Sequence, residues 1–135
     1  MWRWLSVLPL ALAMGPAAAA ELRYLALGDS YTIGEGVPEA GRWPAQLAQS
    51  LRARGLALAT PQYVARTGWT TDELSAAIDA AEPLGDRYGL VTLLIGVNNQ
   101  YRGRGVDEYA HAFAILLERA IGFAGRRTDR VLVLA

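Results

Sequence analysis

Three short polar clusters stand out in an otherwise apolar chain: Gly28-Asp29-Ser30-Tyr31, Arg66-Thr67-Gly68-Trp69 and Gly96-Val97-Asn98-Asn99. Each follows directly on a strand-like apolar run. Together they offer a hydroxyl, a glycine and a carboxamide, which is the set that acyl transfer from an ester needs. A serine hydroxyl can attack a carbonyl carbon. A glycine lets a backbone N–H come close to the developing oxyanion, and an asparagine amide adds a second fixed donor. Losing one such donor slows the reaction on the order of 100- to 1000-fold. Each cluster alone has a plainer reading. Gly28-Asp29-Ser30 fits a turn with a helix N-cap. Gly68 fits an ordinary turn, and Asn98 and Asn99 fit turn formers that tolerate left-handed backbone. Their occurrence at three successive strand ends favours the chemical reading.

Other residues near these clusters are less specific. Arg102 and Arg104 follow the Asn98 loop and suit either an anionic substrate or a solvated loop. Trp43 and Trp69 suit either an acyl pocket or packing beneath a loop. His111 lies two residues from both Tyr109 and Phe113, which points it away from their helical face as a solvated side chain. Asp29 adjoins Ser30 and so cannot orient a histidine that would hold the serine. Ser30 lacks the Gly-X-Ser-X-Gly elbow because position 32 is Thr, which disfavours an ordinary α/β-hydrolase. Gly34-Glu35-Gly36 lacks the third glycine of a dinucleotide loop, and Glu35 would repel phosphate.

The elements that must position these residues alternate. Leu22–Leu27 reads as a first buried strand, and Tyr31–Gly41 as a glycine-rich loop. A helix is expected from Pro44 to about Arg54, stopped by Gly55. Pro61–Ala65 is a second strand. Thr70 to Glu73 form a capping box, followed by Leu74, Ala77, Ile78 and Ala81 at helical spacing. Leu90–Ile95 is apolar on both faces, as a central parallel strand should be. Val106 to about Phe123 forms a third helix, and Val131–Ala135 starts a fourth strand. The order β-α-β-α-β-α-β implies a parallel sheet with helices on both faces and right-handed crossovers. A ligand then sits beyond the carboxyl ends of the strands.

Length and composition bound the rest. The chain has 135 residues, enough for one domain at most. Its formal net charge is zero, all its basic residues are arginine, and no basic stripe marks a nucleic-acid partner. It has no cysteine, which excludes a disulfide framework, a thiolate metal site and a cysteine nucleophile. One histidine leaves little room for a histidine-based metal centre. Residues 1–20 read as a signal peptide: Arg3, an apolar Leu5–Met14 core, and small residues at Ala18-Ala19-Ala20 before Glu21. An N-terminal membrane anchor is the alternative, against which Gly15-Pro16 and the short core count. The expectation is a periplasmic or secreted protein, with no stable membrane insertion after cleavage. Ala135 falls inside an apolar strand, so residues 21–135 are expected to be the N-terminal portion of a longer domain.

The motifs carry a family resemblance. Leu27-Gly28-Asp29-Ser30-Tyr31, Thr67-Gly68-Trp69 and Ile95-Gly96-Val97-Asn98-Asn99, in this order, resemble the first three blocks of the SGNH (GDSL-like) hydrolases. The likeness runs from about Leu22 to Ala135. It implies an α/β, three-layer, flavodoxin-like fold and an ester hydrolase with Ser30 as nucleophile. It implies an oxyanion hole made by the Ser30 and Gly68 N–H groups and the Asn98 side chain. Asp29, Trp69, Asn99 and Arg102 are expected around a small-molecule ester substrate, with no metal and no cofactor. Two departures are visible. Asn99 stands where the family's third block usually has Asp. The fourth block, Asp-X-X-His, which supplies the general base and its acid, is absent, so the 135-residue chain alone is expected to be inactive. The competing function is a non-catalytic binding module of the same fold. A phosphate-binding flavodoxin-like protein is a weaker third reading.

Overall fold

The computed structural model describes residues 20–81 and 83–135. The expected signal peptide, residues 1–20, lies outside the described residues except for Ala20. The described chain runs β1 (Arg23–Gly28), α1 (Ser30–Ile33), α2 (Trp43–Ala53), β2 (Gln62–Ala65), α3 (Thr71–Ala80), β3 (Tyr88–Leu94), α4 (Val97–Tyr101), α5 (Val106–Phe123) and β4 (Val131–Val133). Single 3-10 turns lie at Glu39–Gly41 and Thr128–Arg130. The strands form one sheet in the order β2-β1-β3-β4, and every pairing is parallel. The expected alternation of strand and helix is therefore present, with the first strand in the interior of the sheet.

Strand side chains alternate between faces, so β1 serves two apolar layers. Leu25 and Leu27 face one layer with Leu93 of β3, Leu74 and Ile78 of α3, and Leu116 of α5. Tyr24 and Ala26 face the other, with Ala48 of α2 and Leu58. On this second face the Tyr24 hydroxyl meets Thr92 Oγ1 at 3.2 Å. Leu25, Leu27, Leu74, Leu93 and Leu116 are fully buried. Each such leucine contributes about 1.5–3 kcal/mol, against about 0–1 kcal/mol for an exposed ion pair, so this packing dominates the fold. No helix among the described residues is long and apolar enough to cross a membrane.

Local signals set most boundaries. Pro44 sits in the first turn of α2, where its missing N–H has no intrahelical partner to lose. Glu73 Oε2 accepts the Thr70 N–H at 2.9 Å, closing the expected capping box at the start of α3. Three differences from the sequence reading concern the ends of strands. β3 begins at Tyr88, because Tyr88 pairs with Arg23 of β1 before the apolar run begins. Residues 31–41 are not all loop: Tyr31 to Ile33 belong to α1, and Glu39–Gly41 form a 3-10 turn. Asn98 and Asn99 lie inside α4 rather than in an open turn.

Candidate active site

The sheet register places the three polar clusters at one edge. Gly28 of β1 pairs with Ala65 of β2 and with Leu94 of β3. The three strands thus end level. Ser30, Gly68 and Asn98 follow those ends by two, three and four residues. All three are half-buried at the carboxyl edge of the sheet.

Ser30 owes its place to Gly28 and Asp29. A Cβ at Gly28 would lie 2.2 Å from Thr32 Oγ1 and 2.5 Å from the Leu94 carbonyl oxygen. Only a glycine lets the chain fold back over the end of β3 and make Ser30 the first residue of α1. Asp29 is the N-cap of α1, and its Oδ1 accepts the Tyr31 N–H at 3.0 Å. The Asp29 side chain is 1% exposed, and its Oδ2 has no hydrogen-bond partner among the described residues. Burial pushes its carboxyl above the ordinary carboxylate range, partly offset by the Tyr31 N–H. The helix-cap reading of Gly28-Asp29-Ser30 and the chemical one are thus compatible: the cap is what presents the serine.

The second cluster is held by the third. The Trp69 N–H donates to the Arg66 carbonyl at 3.3 Å, closing a four-residue turn with Gly68 at its third position. Gly68 has φ 85°, the left-handed region that glycine enters without strain. Asn98 Nδ2 donates to the Trp69 carbonyl at 2.9 Å. Asn99 is 2% exposed; its Oδ1 accepts the Thr71 N–H at 3.1 Å and its Nδ2 donates to Thr71 Oγ1 at 2.8 Å. Arg102 Nη2 donates to the Gly68 carbonyl at 2.7 Å. The turn is also tied to the segment that follows α1, since Thr67 Oγ1 donates to Glu35 Oε2 at 2.8 Å.

These bonds give several of the expected site residues structural partners. Asn99 bonds Thr71 through both polar atoms and so braces α3 at the lining of the groove beside Asp29. Trp69 packs its ring against the main apolar layer. Arg102 is engaged by the Gly68 carbonyl and by Glu73, whose Oε1 and Oε2 each lie 3.3 Å from its guanidinium. Arg104 pairs with Asp72 and Glu108. The bond from the Thr70 N–H, then Arg102 more weakly, holds the Glu73 carboxyl below its usual range. The Thr70 hydroxyl, with Arg104, does the same for Asp72. His111 is exposed on α5 beside Glu118, Arg119 and Arg126, away from the Ser30 edge. Glu35, Thr71 and Glu73 are supporting residues that sequence reasoning did not place at the site. Glu73 alone carried a signal, its capping-box spacing.

An open groove of about 1400 Å³ begins beside Asp29, Tyr31 and Gly96 and runs along α5. Tyr109, Phe113 and Leu117 wall it, and Trp43, whose Nε1 donates to the Tyr31 carbonyl at 3.0 Å, stands at its mouth. Among the described residues no group of three or more His, Asp or Glu is placed to hold a metal ion.

Comparison with known proteins agrees with this fold. The model of the GDSL-like lipase/acylhydrolase family matches residues 26–133. No curated protein matches the chain. Among solved structures, AlinE4, described as an SGNH-hydrolase family esterase, is 25% identical with a TM-score of 0.70, over 87% of this chain and 60% of that one. TesA is 23% identical with a TM-score of 0.69, over 84% of this chain and 59% of that one. The psychrotrophic esterase EstA from Pseudoalteromonas sp. is 17% identical with a TM-score of 0.61, over 84% of this chain and 58% of that one. The chain therefore spans about three fifths of the length of the structures it matches.

Proposed function

The chain belongs to the GDSL-like lipase/acylhydrolase family, and on that premise we propose that the protein is a serine hydrolase of carboxylic esters or acyl thioesters. The observation that carries the proposal is the level ending of β1, β2 and β3, which gathers Ser30, Gly68 and Asn98 at one edge. In this reading Ser30 Oγ attacks the substrate carbonyl carbon and its proton passes to a general base. The tetrahedral oxyanion is met by the Ser30 and Gly68 N–H groups and by Asn98 Nδ2. One N–H of that amide is held by the Trp69 carbonyl, which leaves the other for the oxyanion. The intermediate expels the alcohol or thiol, protonated by the same base, and leaves an acyl group on Ser30. Water, deprotonated by the base, then releases the acid and restores the serine. The chemistry needs no metal.

The reading requires a general base, for which the family's Asp-X-X-His block is the natural source; His111, among the described residues, is exposed on α5. The test uses the product of the complete reading frame. It should hydrolyse p-nitrophenyl esters and react with a fluorophosphonate probe, and Ser30→Ala should lose both. Undiminished labelling of Ser30→Ala would refute the assignment. Failure of the wild-type protein to turn over or label, despite binding esters, would favour the non-catalytic module. We also propose export with cleavage after Ala20. A mature N-terminus at Glu21 supports this, and an intact Met1 on the extracytoplasmic protein overturns it.

A further inference from the structure

We infer that Arg102 is a positioning residue that sets the oxyanion-hole turn by gripping the Gly68 carbonyl; this rests on the hydrolase reading above. Gly68 is the hinge of the Arg66–Trp69 turn, and a glycine has more backbone freedom than any other residue. Its N–H must nevertheless point in one direction if it is to serve as a donor. The Gly68 carbonyl is fixed by Arg102 Nη2 at 2.7 Å. The next carbonyl, Trp69, is fixed by Asn98 Nδ2 at 2.9 Å. Asn98 and Arg102 are four residues apart, one turn of helix, so α4 presents both donors to successive carbonyls of the same turn. The Arg102 N–H donates to the Asn98 carbonyl at 3.0 Å, which keeps the two in step.

Arg102 is itself held from a second side. Glu73 lies 3.3 Å from its guanidinium, and Glu73 is fixed in turn by the Thr70 N–H at 2.9 Å. The planar guanidinium fork can serve the carbonyl and the carboxylate together. A lysine ammonium reaches the same carbonyl only as a single flexible point. The alternative role, capture of an anionic substrate, would have to compete with Glu73, whose carboxylate already lies 3.3 Å from the guanidinium and offsets its charge.

The experiment compares kcat and KM for wild type, Arg102→Gln, Arg102→Lys, Glu73→Gln and Ser30→Ala, all in the full-length protein. Substrates are p-nitrophenyl butyrate and a p-nitrophenyl ester bearing a carboxylate on its acyl chain. Fluorophosphonate labelling rates and melting temperatures are read alongside. Arg102→Gln should lower kcat and the labelling rate roughly tenfold to hundredfold, as misplacement of one oxyanion donor does, and equally for both esters. KM should stay within about threefold, Arg102→Lys should recover part of the loss, and Glu73→Gln should show a smaller fall of the same kind. An unchanged kcat in folded Arg102→Gln overturns the inference. So does a KM increase confined to the anionic ester, which would make Arg102 a substrate ligand. If Arg102→Gln does not fold, an unchanged kcat in folded Glu73→Gln overturns it equally. The Ser30→Ala arm separates the two levels. Turnover that survives it sinks the hydrolase reading itself, and the positioning role with it.

Discussion

Asn99→Ala offers a quantitative test of how the site is braced. Asn99 and Thr71 are 2% and 1% exposed, so water cannot replace what the amide supplies. Two bonds are lost: Thr71 N–H to Oδ1 at 3.1 Å and Nδ2 to Thr71 Oγ1 at 2.8 Å. Each is worth about 1 kcal/mol net, and a stranded buried donor adds about 1–3 kcal/mol. The Thr71 N–H opens α3 and has no intrahelical acceptor to turn to. The expected destabilisation is therefore about 3–5 kcal/mol, read as a lower urea midpoint at constant m-value. Asn99→Asp restores the residue usual at this position in the family and behaves differently. A carboxylate there can accept the Thr71 N–H, and the Thr71 hydroxyl can reverse and donate to it. The charge is buried, but it sits at the N-terminus of α3, where the helix dipole favours an anion. This variant should lie within about 1 kcal/mol of wild type at pH 7. The sign of its pH dependence follows. A carboxyl stabilised in the fold has its pKa lowered there, so its contribution is present above the unfolded value of about 3.9 and lost as pH falls through the folded one. Asn99→Asp should then fall behind wild type in acid. The reasoning fails if Asn99→Ala is within about 1 kcal/mol of wild type, or if Asn99→Asp is as unstable as Asn99→Ala at pH 7.

Two further outcomes are expected. Gly28→Ala should destabilise by about 3 kcal/mol, the upper end for overpacking, because the new Cβ meets the backbone oxygen of Leu94 at 2.5 Å; a urea midpoint equal to wild type would contradict the packing described for the end of β1. The protein should lose stability as pH falls below the ordinary carboxylate range, because the fold holds Glu73 and Asp72 below their usual values, chiefly through Thr70. Their stabilisation is complete above the unfolded pKa values and is lost on protonation, while Asp29, raised by burial, works in the opposite direction. Melting temperatures from pH 6 to pH 3 check this, and Glu73→Gln should flatten the slope.

The strands and longer helices were legible because each is carried by local pattern. β1 and β3 are apolar runs, α3 has its capping box, and Gly55 follows α2. The parallel sheet followed from their alternation, and with it the placement of Ser30, Gly68 and Asn98 at one edge. The two shortest helices were not legible. α1 has four residues and α4 five, too few for an apolar period to register. Asp29 did carry a cap signal, and the structure uses it. β3 began early because Tyr88 pairs with Arg23, a contact 65 residues apart that no local pattern encodes.

The unforeseen partners share one cause. Arg102, Asn99 and Trp69 were expected near a ligand, and Arg104 near a ligand or solvent, while the partners of these residues are remote in sequence. An arginine in a glycine-rich loop looks free until Gly68 and Glu73 are known to reach it, 34 and 29 residues away. Those partners also explain why the third cluster needs more than its oxyanion asparagine. Asn98, Asn99 and Arg102 hold Trp69, Thr71 and Gly68 respectively, so α4 acts as a frame on which the second cluster is mounted. A short helix suits that task. One turn puts Asn98 and Arg102 on one face, and the intervening Asn99 turns inward to the start of α3. The donors of the proposed oxyanion hole are then not three independent loop residues. Ser30 is set by the cap on α1, while Gly68 and Asn98 are locked to one another through the same few peptides. A perturbation at Arg102 or Asn99 should therefore travel to Gly68, whereas one confined to the Asp29 cap should move Ser30 alone.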